Sequence, residues 1–102
     1  MNTKLRHAAA LAPAIWYLMG PPQQGGPADF NVHAPLSKWK AIDTYDDIGA
    51  CEKGRMIHLG RWYDRADIDR AGTKDAINDA IMLIWLNDAK CIASDDPGLK
   101  SR

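Results

Sequence analysis

The chain has no excess of charge of either sign. Its 102 residues carry 13 basic and 13 acidic side chains, so the formal net charge at pH 7 is zero. Proteins that hold nucleic acid by its phosphates need clustered Lys and Arg. The composition therefore argues against a nucleic-acid-binding protein, and we expect no nucleic acid among the partners.

Signatures of nucleotide, haem and metal binding are also missing. The sequence has no Cys-x-x-Cys-His motif, no phosphate-binding loop and no dinucleotide-binding glycine pattern. A zinc site needs three or four ligands. The three histidines lie far apart, and only His58 shares a predicted helix face with a cysteine. We therefore predict no metal and no cofactor, and we assign no catalytic residue.

No apolar run near the N-terminus is long enough to cross a bilayer as a helix. The run at 8–19 ends at Gly20-Pro21-Pro22, and a spanning helix needs about 20 residues. Basic residues precede this run, and Ala12-Pro13-Ala14 supplies the small side chains that signal peptidase reads. Residues 1–14 are therefore predicted to be a short, degenerate signal peptide, and the location periplasmic or secreted. A retained segment that tethers a small membrane subunit is the alternative.

Only two cysteines are present, Cys51 and Cys91. Cys51 follows a predicted helix start, whereas Cys91 lies in a short extended segment. An even cysteine count in a small exported domain favours one disulfide over a catalytic or metal site. Closing this loop contributes roughly 4 kcal/mol in the chain-entropy treatment, which matters for a domain with a small core.

The remaining chain, residues 15–102, is predicted to form one small globular domain. Residues 15–19 are β-branched and aromatic, so they favour a strand, and Pro21-Pro22 must end it. Residues 23–36 contain glycine and proline without periodicity, which predicts an irregular loop. Residues 91–93 form a second short strand that we expect to pair with the first.

A first helix is predicted from a cap at Thr44 or Asp46 to about Tyr63, followed by a polar turn at 64–73. Four residues at helical spacing are expected to share its buried face, namely Ile48, Cys51, Leu59 and Trp62.

A second helix is predicted to start at Lys74. Its segment 81–86 is apolar all round, so a buried strand is the alternative. We prefer a helix, because no turn residue interrupts the segment. The predicted fold is α+β: a two-helix hairpin packed on a short antiparallel β pair and stapled by one disulfide.

One cation, Arg55, falls inside the apolar stripe of the first predicted helix. A guanidinium in that setting needs a partner, so we expect an ion pair with Glu52, Asp95 or Asp96. In a sharper hypothesis, Arg55 binds an anion and the two aspartates act as an acid–base pair in a small hydrolase-like enzyme. Ser94-Asp95-Asp96-Pro97 is equally typical of a capped turn.

Residues 80–86 offer more apolar surface than one helix face can bury. We predict that Leu83 and Leu86, on the face away from Ile77 and Ile84, contact a partner together with Trp85. The partner is either another protein or a second copy. These observations favour a binding or accessory protein over an enzyme.

Several short motifs in this order resemble a family of small uncharacterised exported bacterial proteins. The family pattern is Pro-Pro, Trp, Phe-Asp-Ser/Thr-x-x-x-Cys-Glu and Cys-x-x-x-Asp-Asp-Pro. The resemblance covers most of the chain from residue 15, and it implies an export signal and a disulfide but no activity. The chain departs from the pattern with Asp47 in place of Ser or Thr. The motifs that carry it are Trp16-Tyr17-Leu18-Met19, Pro21-Pro22, Pro35-Leu36-Ser37-Lys38-Trp39, Tyr45-Asp46, Cys51-Glu52 and Cys91-Ile92-Ala93-Ser94-Asp95-Asp96-Pro97.

Overall fold

The computed structural model describes residues 15–68 and 74–100. These ranges form a three-stranded sheet and two helices, so the α+β class is confirmed, with one strand more than predicted. Short 3-10 turns lie at Leu36–Lys38 and Pro97–Lys100. In chain order the main elements are β1 (Trp16–Gly20), β2 (Lys40–Tyr45), α1 (Ile48–Ile68), α2 (Lys74–Asn87) and β3 (Lys90–Ala93).

The sheet is antiparallel with β1 at its centre, between β2 and β3. The predicted pairing of the first and last strands is confirmed, with Leu18 opposite Cys91. On the other side Leu18 lies opposite Asp43, and the register shifts before Met19 pairs with Ala41. Because β1 has neighbours on both edges, its centre is the best-protected part of the sheet, and Leu18 is fully buried.

Strand β2 was not predicted from the sequence. The prediction was instead a helix cap at Thr44 or Asp46. The strand runs through Thr44 to Tyr45, and the cap is Asp47, whose Oδ1 accepts a 2.7 Å hydrogen bond from the Ala50 amide. The prediction of Thr44 or Asp46 as the cap is therefore wrong. Residues 40–45 are extended because they pair with β1. The local sequence does not indicate this pairing, since β1 lies well before it in the chain, at 16–20.

Helix α1 continues to Ile68, beyond the predicted end at Tyr63. Cys51 and Leu59 are buried and Trp62 is half-buried, as predicted. Ile48 is 48% exposed, so its assignment to the buried face is wrong. It is the first residue of the helix, and the buried face starts one turn later at Cys51.

The predicted disulfide is confirmed. Cys51 of α1 is bonded to Cys91 of β3, 40 residues later in the chain. The bond lies in the core cluster, where Leu18, Cys51 and Ala89 are surrounded by partly buried side chains, Cys91 among them. The covalent link thus ties the helical layer to an edge strand of the sheet.

Residues 81–86 are helical, as preferred, and belong to α2. The two helices run antiparallel, because the first half of α1 contacts the end of α2 and the last turns of α1 contact the first half of α2. The Arg55 guanidinium donates to the carbonyl oxygens of Asn87 at 2.7 Å and Ala89 at 3.1 Å. Further along α1, Arg65 Nε lies 3.8 Å from Asp79 Oδ1.

Within the described ranges, no helix has both the length and the apolar character that a membrane crossing requires. The predicted signal peptide at 1–14 lies outside the described residues, as do positions 69–73 of the predicted polar turn.

Candidate functional site

An open groove of about 260 Å³ lies between α2 and the segment that follows β1. We call it the α2 groove. Its lining is apolar apart from Gln23 and Lys40. The apolar lining residues are Pro21, Pro22, Phe30, Ile81, Met82 and Trp85.

Trp85 forms one wall of the α2 groove in a fixed orientation. Its indole Nε1 donates a 2.8 Å hydrogen bond to the carbonyl oxygen of Pro21. The ring passes so close to Gly20 that a Cβ atom there would overlap it. Phe30 stacks on the same ring at a centroid separation of 6.4 Å and an interplanar angle of 29°. A polar contact at one edge and a stacked ring beside it hold the indole in place.

The segment that carries Phe30 is closed on itself by backbone contacts. Gln23 and Phe30 form an isolated antiparallel bridge, and the Asn31 amide donates to the Pro22 carbonyl at 2.8 Å. The Gln23 side-chain amide donates to the Pro27 carbonyl at 2.7 Å. The predicted irregular loop at 23–36 therefore has a defined conformation in this part, and it lines one side of the α2 groove. Phe30, the single phenylalanine of the chain, is the one residue of this segment that could have indicated from the sequence that it packs against an apolar surface.

Lys40 is the one charged side chain among the residues that line the α2 groove. It is exposed at the first position of β2. In the part of the chain that the structure describes, no carboxylate forms an ion pair with it. The rim of an apolar groove therefore carries one positive charge that is open to an anionic group.

Outside the groove, α2 exposes large apolar side chains. Ile77 is 56% exposed and Ile84 is 43% exposed, and the two are seven residues apart on one helix face. Ile81 lies between them in the helical repeat and also lines the groove. We call Ile77, Ile81 and Ile84 the α2 stripe. Stripe and groove together form one continuous apolar surface.

The opposite side of α2 is buried, and this corrects the predicted contact residues. Leu86 is 1% exposed, so it is a core residue and cannot be a free contact surface. Leu83 is half-buried, and Trp85 is half-buried in the groove wall. The predicted orientation is reversed, since Ile84 faces outward. Asp79, which is 2% exposed, shares the buried face with Leu86.

A polar cluster that the sequence analysis missed joins β2 to α1. Asp43 Oδ2 accepts a 3.0 Å hydrogen bond from the Tyr45 hydroxyl and lies 3.2 Å from His58 Nε2. Its Oδ1 accepts from the Thr44 amide at 2.8 Å. The hydrogen bond from Thr44, followed by that with His58, lowers the pKa of Asp43. Partial burial, followed by the bond to Asp43, raises the pKa of Tyr45. Both Asp43 oxygens are engaged, so the cluster acts as a polar tie between strand and helix.

The predicted ion pair of Arg55 with Glu52, Asp95 or Asp96 is not among the ion pairs of the described residues. Arg55 donates instead to the carbonyl of Asn87, the last residue of α2, and to that of Ala89, which lies between α2 and β3. The last carbonyls of a helix have no partners within the helix, and they carry the negative end of its dipole. They therefore offer the guanidinium suitable acceptors without a carboxylate.

The two aspartates of the hydrolase-like hypothesis are part of a turn. Asp96 Oδ1 accepts a 2.8 Å hydrogen bond from the Gly98 amide, and the Asp96 amide donates to the Ala93 carbonyl at 3.0 Å. Asp95 is exposed beside it. The described residues show no hydrogen bond between Arg55 and either aspartate. This arrangement matches the capped turn and gives no support to an acid–base pair.

Metal and thiol chemistry have no assembled site in the described ranges. No group of three or more His, Cys, Asp or Glu residues there could hold a metal ion. Both cysteines are consumed by the disulfide, so neither offers a thiolate.

Comparison of the chain with protein-family models, with curated proteins and with solved structures gives no match. The surface of α2 is therefore the feature that points to a function.

Proposed function

We propose that this chain is a small exported protein that acts by binding another polypeptide through the α2 groove and the α2 stripe. One observation carries the proposal. Ile77 and Ile84 are exposed on a helix whose opposite side is already buried, directly beside a groove with aromatic walls. Contiguous exposed apolar surface of this kind marks interaction sites in soluble proteins.

The composition of the surface suits a protein interface better than a reaction centre. Trp, Met and Phe are enriched at interface centres, where an aromatic anchor with low conformational freedom contributes most of the binding energy. Trp85 and Phe30 are held rigidly by their contacts with Pro21 and with each other. A partner would therefore meet a surface that needs little ordering on binding.

The second part of the proposal is that the protein is exported. A disulfide forms and persists in oxidising compartments such as the bacterial periplasm or the extracellular space. The Cys51–Cys91 bond, the signal-like segment at 1–14 and the family resemblance all support a periplasmic or secreted bacterial protein.

Site-specific photocrosslinking in living bacteria tests this function. A benzophenone amino acid is placed at position 77 or position 84 of the full chain, and adducts are separated by mass. We expect both positions to give an adduct with the same partner, whose mass distinguishes a second copy from another protein.

Position 46 is the matched control. Asp46 is exposed and directly follows the last residue of β2, at the end of the strand opposite Lys40 and away from the α2 groove. It should give no such adduct. The proposed function fails if the stripe positions give no adduct, or if position 46 gives the same adduct equally well.

A further inference from the structure

We infer that the α2 groove holds one large apolar side chain of a partner polypeptide together with a carboxylate adjacent to that side chain, and that Lys40 binds the carboxylate. This inference rests on the proposed function and names the chemistry of the contact.

The size of the groove limits its occupant. Pockets for drug-sized ligands have roughly 300–1,000 Å³, whereas the α2 groove has about 260 Å³ and is open to solvent. One aromatic or branched side chain fits such a space better than an extended small molecule. Met82 in the lining can adapt to the shape of that side chain, because its thioether chain has three rotatable bonds.

The donors of the lining side chains decide which polar group the occupant should carry. The Trp85 N–H is already bonded to the Pro21 carbonyl, and the Gln23 amide donates to the Pro27 carbonyl. Pro21 and Pro22 have no backbone N–H to offer. The second N–H of the Gln23 amide is a neutral donor, so Lys40 is the one charged donor that these side chains leave for the occupant.

Charge complementarity also favours an occupant with a carboxylate. The lining contains one cation and no anion, and no described carboxylate pairs with that cation. A neutral apolar anchor would leave the ammonium without a counter-charge beside an apolar surface. A carboxylate next to the anchor supplies the counter-charge, so it adds selectivity as well as affinity.

Two small probes that differ only in charge test the inference. N-acetylphenylalanine carries the aromatic side chain next to a carboxylate, and N-acetylphenylalanine amide is its neutral counterpart. Each is titrated into the disulfide-intact full chain and followed by nuclear magnetic resonance. We expect shifts at the Trp85 indole N–H and at the amides of Ile81 and Met82, and an affinity about two- to fivefold higher for the carboxylate. High salt should remove this preference, because it screens exposed charges.

Variants assign the preference to one residue. Lys40→Gln should make the two affinities equal without changing that of the amide. Lys53→Gln makes the same change of charge on the exposed surface of α1, and it should leave the preference intact. The inference is overturned if the unmodified chain binds both probes equally or neither up to their solubility limits, if Lys40→Gln keeps the preference, or if the shifts fall outside the groove.

Failure of the inference can be told apart from failure of the proposed function. Crosslinks at the α2 stripe without a preference for the carboxylate probe would leave the binding function standing and remove the role of Lys40. A preference for the carboxylate probe without crosslinks would support the contact with Lys40 and count against the proposed binding of a polypeptide.

Discussion

The Asp79 carboxylate of α2 is buried 3.8 Å from the guanidinium of Arg65 of α1. Asp79 lies on the face of α2 that packs inward. Leu86 is seven residues beyond Asp79 and therefore shares its buried face. The outer face is left to Ile77 and Ile84. A carboxylate thus lies on the buried face of α2, while Ile77 and Ile84 lie on the exposed face.

We expect Arg65→Ala to destabilise the fold by about 1–3 kcal/mol, because it removes a cation beside a carboxylate that is almost inaccessible to water. Urea unfolding of the purified chain measures the loss. Arg65 also lies 5.0 Å from the centroid of the Trp62 ring, so a second variant must isolate the Asp79 contribution.

Asp79→Asn removes the buried charge and serves that purpose. In a double-mutant cycle, Arg65→Ala should cost less free energy in the Asp79→Asn background than in the natural chain. Strict additivity of the two changes would show that Arg65 contributes nothing through Asp79.

The sequence allowed most of the fold to be predicted, but not the orientation of α2. Hydropathy assigns Asp79 to solvent and Ile77 to the core, whereas the folded chain buries Asp79 near Arg65 of the other helix, a contact that the local sequence does not show. Strand β2 depends in the same way on a distant partner, β1. The disulfide was predictable because each cysteine lies in a locally recognisable helix or strand. The groove was not, since it needs Lys40, Phe30 and Trp85 from three separate segments.

Loss of the disulfide should lower the free energy of unfolding by about 2–5 kcal/mol. In this chain the bond links α1 to β3 inside the core cluster, so its removal frees a long loop and leaves two polar thiols or hydroxyls there. Urea unfolding with and without reductant measures the effect. The double variant Cys51→Ser, Cys91→Ser is the control, and its stability should not respond to reductant. Equal stability of the oxidised and reduced natural chain would contradict the prediction.

Two glycines of α1 should respond in opposite directions to alanine. A Cβ atom at Gly54 would overlap the Tyr45 ring, so we expect Gly54→Ala to cost about 1–3 kcal/mol through strain. Gly60 has no atom within 4 Å of the added methyl position. Gly60→Ala should stabilise the helix by about 0.5–1 kcal/mol. Thermal unfolding of both variants tests the pair, and similar midpoints for the two would refute the close approach of Tyr45.

Stability should fall in acid partly through Asp43. Its pKa is lower in the folded chain than in the unfolded one, first because of the Thr44 amide and then because of His58. The resulting stabilisation is present above the unfolded pKa of about 4 and is lost as the pH falls through the lower folded value. Urea unfolding between pH 5 and pH 2 should therefore show a shallower pH dependence for Asp43→Asn than for the natural chain.

A control for this pH dependence is Asp64→Asn, which changes an exposed carboxylate of α1 that has no hydrogen bond among the described contacts. The change of slope in Asp43→Asn is measured relative to this variant. The role of Asp43 is excluded if its variant and the natural chain lose stability in parallel.

The sharpest comparison on α2 is between Ile84 and Leu86, two residues apart on opposite faces. Ile84→Asp introduces a charge at a side chain that is 43% exposed, so the thermal midpoint of the monomer should change little. Leu86→Asp introduces one at a side chain that is 1% exposed. An unpaired charge in the core is among the few single changes that cost several kcal/mol, so this variant should be largely unfolded. Circular dichroism melts of both variants measure these effects.

If Ile84→Asp also unfolds the monomer, Ile84 belongs to the core and the α2 stripe is not a free surface. If Ile84→Asp stays folded and its crosslinked adduct disappears, Ile84 serves partner binding and is dispensable for folding.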